Sequence, residues 1–64
     1  MNINDVVELL VDVPSERLKC GDIGVVVEIF NNLHLSYEIE FCNENGETIT
    51  TVSLSETEIK KIVY

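Results

Sequence analysis

The sequence predicts an all-β chain, and three observations carry that prediction. Apolar and polar residues alternate with a period of two in several short runs, Asn45-Gly46 separates two of those runs, and Gly21 and Gly24 punctuate the entry into another. A period of two puts alternate side chains on opposite faces of a pleated strand. Residues 1–64 have the size of a single domain, and one proline with three glycines leaves no linker, repeat or low-complexity stretch.

The first predicted strand lies between Asp5 and Val13. Glu8 and Asp12 share one parity there, which assigns Val7, Leu9, Val11 and Val13 to the other, core-facing side. Pro14 ends the strand, and Pro14–Leu18 reads as a connecting loop. Gly21-Asp22 signals a turn and Gly24 opens the second strand. In Val25–Phe30 the only charge is Glu28, which assigns Val25, Val27 and Ile29 to the core and leaves Val26 and Phe30 outside.

The third strand, Leu35–Phe41, alternates without interruption. Leu35, Tyr37, Ile39 and Phe41 go inward, while Ser36, Glu38 and Glu40 go outward. Opposed residues must share a side, so an odd-numbered loop around Asn31, Asn32 and Leu33 is required between these strands. Asn45-Gly46 is the preferred dipeptide of a two-residue type I′ turn. Closing a hairpin there pairs Phe41 with Thr50, Ile39 with Val52 and Tyr37 with Leu54 inside, and Cys42 with Ile49, Glu40 with Thr51 and Glu38 with Ser53 outside. Ser55-Glu56-Thr57-Glu58 has capping-box spacing suited to one short helical turn, and Ile59–Tyr64 returns as the last strand. The order describes a small five-stranded SH3-like barrel with one short helical turn before the last strand. Closure of that kind protects sheet edges.

Composition narrows the function. Twelve acidic residues against four basic ones give a formal net charge of −8. A surface of that sign gains nothing from phosphate neutralisation and is pushed away from anionic membranes, so basic proteins are the favoured partners. The 45% apolar content argues against disorder. The start, Met1-Asn2-Ile3-Asn4-Asp5, lacks the positive region of a signal peptide, and no apolar run approaches the length of about 20 residues that spans a bilayer. A cytoplasmic location with Cys20 and Cys42 as reduced thiols is the expectation.

Val6–Pro14, Leu18-Lys19-Cys20-Gly21-Asp22-Ile23-Gly24, Val26–Phe30, Tyr37–Phe41 and Asn45–Thr48 together resemble a family of small bacterial proteins known only as a domain of unknown function with an SH3-like barrel. The resemblance spans nearly the whole chain. It implies a stand-alone cytoplasmic protein that acts as an antitoxin- or immunity-like partner of a neighbouring toxin gene. The chain departs from it at Asn31–Leu35, where His34 and Leu35 stand at a place that glycine is expected to occupy. The segment Gly21-Asp22-Ile23-Gly24-Val25-Val26-Val27 also resembles the KOW motif of ribosomal and transcription-elongation proteins, which implies an RNA-contacting barrel. The basic loops of such barrels are missing here: Arg17 and Lys19 flank the motif, and Lys60-Lys61 lie far along the chain.

Catalytic chemistry finds little footing. His34 and Cys42 share a strand parity but lie eight positions apart, about 26 Å at strand rise. Glu38 and Glu40 project from one face, as paired carboxylates of acid–base enzymes do, but also as any solvated strand face does. Two cysteines and one histidine lack the spacing of a structural zinc site. No enzyme activity, cofactor or metal is therefore expected. What remains is surface recognition, with Val26, Glu28, Phe30, Glu38, Glu40 and Ile49 as the candidate protein-binding residues, and Cys42 in the same patch. Acidic groups around exposed apolar ones fit such a surface, because apolar area supplies affinity and charge supplies selectivity; ordinary satellite packing under loops is the plainer reading. The expected function is that of a small acidic non-enzymatic interaction module, an antitoxin or immunity-type partner of a toxin. The alternatives are a KOW-like nucleic-acid-binding or ribosome-associated barrel, and a homo-oligomer joined through an uncovered strand edge.

Overall fold

A computed structural model describes residues 1–63. Five antiparallel strands form one curled, barrel-like sheet: β1 (Val6–Leu9), β2 (Ile23–Asn31), β3 (Leu35–Cys42), β4 (Thr48–Ser55) and β5 (Ile59–Lys61), in the spatial order β4-β3-β2-β1-β5. The core is the inner face, where Val7, Leu9, Val26, Tyr37, Ile39, Phe41, Leu54 and Ile59 pack with Leu18 from the first connection. No buried side-chain nitrogen or oxygen among the described residues lacks a hydrogen-bond partner, so this small core carries no polar penalty of that kind.

β1 is shorter than its alternation suggests. Val7 and Leu9 are buried, but Val11 is exposed and Val13 leaves the sheet to bridge Leu18. Pro14–Glu16, read from the sequence as loop, forms a single 3-10 turn, with proline at its start, where its missing N–H costs nothing. Arg17 closes it in the left-handed region (φ 59°) and donates its N–H to the Pro14 carbonyl. The chain then enters β2 through Gly21 (φ 100°), held by the Gly21 N–H to the Leu9 carbonyl at 2.7 Å.

The middle hairpin keeps the predicted register: Tyr37 opposite Leu54, Ile39 opposite Val52, Phe41 opposite Thr50, and on the outer side Glu38 opposite Ser53 and Glu40 opposite Thr51. Its closure differs. Only Gly46 has a positive φ, at 79°, and Gly46 N–H donates to the Asn43 carbonyl while Asn43 N–H donates to the Glu47 carbonyl. Three residues, Glu44–Gly46, therefore form the loop, with the glycine in the left-handed position that follows a type I turn. The additional loop residue shifts Cys42 from Ile49 to Thr48, and Ile49 becomes an unpaired bulge.

β2 is corrected in the same way. Val26 pairs with Ile39 and Glu28 with Glu38, which leaves Val27 as an extra residue between two phases of one strand. Before the bulge the even-numbered residues face inward; after it Ile29 does. Val26 is consequently buried rather than on the outer face, and Val27 is exposed rather than in the core. Asn31 pairs with Leu35 across a three-residue loop, the odd count that the shared faces demanded. The segment before β5 is one turn, Glu58 N–H to the Ser55 carbonyl, with the Ser55 N–H returned to Glu58 Oε1 at 2.9 Å. That is half of the capping box: Glu58 reaches back to the Ser55 N–H, but the Ser55 hydroxyl donates to Glu58 Oε1 at 3.1 Å and does not accept the Glu58 N–H, and no helix follows.

Candidate functional site

The outer face of β2, β3 and β4 is laid out in rows by the register. Phe30, Ser36 and Ser55 form one row, Glu28, Glu38 and Ser53 the next, and Val25, Glu40 and Thr51 a third. Neighbouring strands lie about 4.8 Å apart and successive same-face residues about 6.6 Å apart, so three carboxylates share a small area. Glu28 stands directly opposite Glu38, and like charges directly opposite each other on a sheet are destabilising.

Neutralising groups are sparse. Ser53 Oγ donates to Glu38 Oε2 at 3.4 Å and the Cys42 thiol lies 3.8 Å from Glu40 Oε1. Among the described residues the one ion pair is elsewhere, Lys61 Nζ to Asp5 Oδ2 at 3.7 Å. Among the described residues no cation pairs with Glu28, Glu38 or Glu40.

Apolar groups bound the acidic rows at both ends. Phe30 is 39% exposed at one end and Ile49 is 55% exposed at the other. Beside Ile49 a cleft of about 110 Å³ opens between the start of β2 and the end of β3, lined by Leu18, Asp22, Ile23, Phe41, Cys42 and Ile49. Five of the six sequence-derived candidates thus lie on or at the rim of the outer face, while Val26 belongs to the core. Sequence reasoning missed Ile23, which is exposed beside the cleft, and Val25, half-buried next to Glu40. It also missed a second, shallower cleft of about 390 Å³ around the 3-10 turn, lined by Asp12, Pro14, Arg17, Leu18 and Lys19.

The cysteines and the histidine stay apart from any common centre. Cys20 and Cys42 are both free and exposed, and His34 lies in the exposed β2–β3 loop. Among the described residues no three His, Cys, Asp or Glu side chains gather where they could hold a metal ion. No helix among the described residues is long and apolar enough to cross a membrane.

No curated protein and no solved structure matches this chain. A family model does: the one described as Domain of unknown function (DUF4926) matches residues 3–61, from the segment ahead of β1 to the end of β5, and the chain belongs to that family.

Proposed function

We propose that this protein is a non-enzymatic interaction module that docks a basic surface of another protein against the outer face of β2–β4. The observation that carries the reading is the cross-strand pair Glu28–Glu38, extended by Glu40, with no cation among the described residues paired to it. A protein that keeps like charges abreast on a sheet gives up stability there, and a cationic partner recovers it on binding. Phe30 and Ile49 supply apolar area on either side of the charge. The family resemblance adds the specific form of the proposal: an antitoxin or immunity-type protein that covers the basic groove of a toxin encoded next to it. Two exposed, unpaired thiols fit a reducing, cytoplasmic setting.

The test is calorimetric titration of the purified chain with the product of the adjacent gene. Binding is expected, weakened at least about tenfold when Glu38 and Glu40 both become lysine, and by about 2 kcal/mol in Phe30→Ala. Unchanged affinity in both variants removes this surface from consideration. A KOW-like role in nucleic-acid binding is separated from it by a gel shift at low salt, where phosphate contacts are strongest. Arg17 and Lys19 in the first connection and Lys60 and Lys61 on β5 are the only lysines and arginines that such contacts could use.

A further inference from the structure

The sheet has three free flanks, and two of them are guarded. β5 is three residues long and carries Lys60 and Lys61. The distal half of β2, beyond its pairing with β1, starts with the Val27 bulge and Glu28. Short length, charge and bulges are the devices by which proteins keep sheet edges from recruiting another chain. β4 uses one of them, at its start, where Ile49 is bulged. From there Thr50–Ser55 keeps unbroken register with Phe41–Ser36 and contains neither a charge nor a proline. Among the described residues no backbone hydrogen bond reaches residues 48–54 from outside the β3 ladder, so alternate N–H and C=O groups along β4 face outward without a partner. Val52 shows the same incompleteness in its side chain: it sits opposite buried Ile39 on the inner face, yet is only half-buried.

We propose that β4 is the docking edge, and that an extended basic segment of a partner protein adds to it as a sixth strand. The inference rests on the acidic-face reading above and names how that face is engaged. Glu38 and Glu40 lie one strand inward, opposite Ser53 and Thr51. An added strand stands about 10 Å from β3, two strand spacings, and only small hydroxyl side chains intervene. Lysine or arginine side chains on its outer face reach back over Thr51 and Ser53 to the two carboxylates, while main-chain hydrogen bonds fix its register. A second copy of this chain is a poor occupant, because its own β4 offers no cation and two copies bring together charges of −8 each.

The experiment uses the whole protein and a synthetic octapeptide of alternating lysine and valine, at low ionic strength, with amide hydrogen exchange followed by NMR. Its control is the same peptide methylated on every backbone nitrogen, which keeps the charges but cannot pair as a strand. The plain peptide is expected to slow exchange of the outward-facing amides within Thr50–Leu54 about tenfold and the methylated one to leave it unchanged. Equal binding of the two peptides without protection of β4 overturns strand addition and leaves the acidic face standing, since that face is scored separately by the Glu38 and Glu40 variants. Absence of protection with either peptide also overturns it. Protection that instead grows with protein concentration alone assigns the edge to a second copy and overturns the basic-segment proposal.

Discussion

A Cβ placed on Gly24 would lie 2.6 Å from Ile39 Cγ2, with the Glu40 carbonyl oxygen and Phe41 Cδ1 each at 3.0 Å. β2 and β3 approach closely here, and one of the three obstacles is backbone that cannot rotate aside. Gly24→Ala is therefore expected to cost about 1–3 kcal/mol through overpacking. A urea titration reads it as a lower midpoint with an unchanged slope. A midpoint equal to the parent's contradicts the close approach.

Glu28 and Glu38 give a prediction of the opposite sign. Replacing either by glutamine removes a like-charge pair and should raise stability by about 0.2–1 kcal/mol. Added salt should shrink the gain, because exposed charges are screened. The same substitutions should weaken partner binding. Stability and affinity moving in the same direction would contradict a surface kept acidic for recognition.

The turn between β3 and β4 separates two glycine-dependent geometries. Gly46 is the only residue of Glu44–Gly46 with positive φ, and Asn43 Oδ1 accepts the N–H groups of both Asn45 and Glu47. Gly46→Ala and Asn43→Ala are each expected to cost about 1 kcal/mol, the former through the left-handed backbone and the latter through two lost acceptor contacts. Asn45→Ala should cost little. A two-residue type I′ turn makes the contrary demand, with a penalty at Asn45 as well. Thermal melts of the three variants decide between them.

Thr50 Oγ1 donates to Glu16 Oε1 at 2.6 Å, tying the 3-10 turn to β4 across 34 residues. Thr50→Val keeps the shape and removes the donor, leaving a partly buried carboxylate short of one partner. A loss of about 1 kcal/mol is expected, with faster amide exchange confined to Ser15–Leu18. Uniformly faster exchange throughout would mean that the contact holds the whole sheet and not the connection alone.

Much of this arrangement was legible where polar residues mark the phase densely. In β3, glutamates at 38 and 40 alternate with Tyr37, Ile39 and Phe41, and the register of six successive pairs with β4 follows. β2 lacked such marks. Val25, Val26 and Val27 are chemically equivalent to a pattern, so Glu28 alone set the phase, and a phase propagates only where no residue is inserted. The bulge reversed the assignment of Val25, Val26 and Val27 while leaving Ile29 and Phe30 correct. Leu18 and Ile59 entered the core from a connection and a short strand, where long-range packing and not local period decides burial. At the candidate site, the carboxylates were readable from parity. Their rows were not, because which residues stand abreast depends on the two bulges.

Val27 has one more implication. Excising it would leave every remaining side chain of β2 on its present side and every pair with β3 aligned, so the residue is dispensable for alignment. Its contribution is a crease: an inserted residue bends the strand and increases local twist. The first half of β2 lies beside β1 and the second half beside β3 alone, so the crease falls where the ribbon folds over itself. A chain lacking Val27 should zip correctly and still fail to wrap, leaving a flatter ribbon whose greasy side is open to its neighbours.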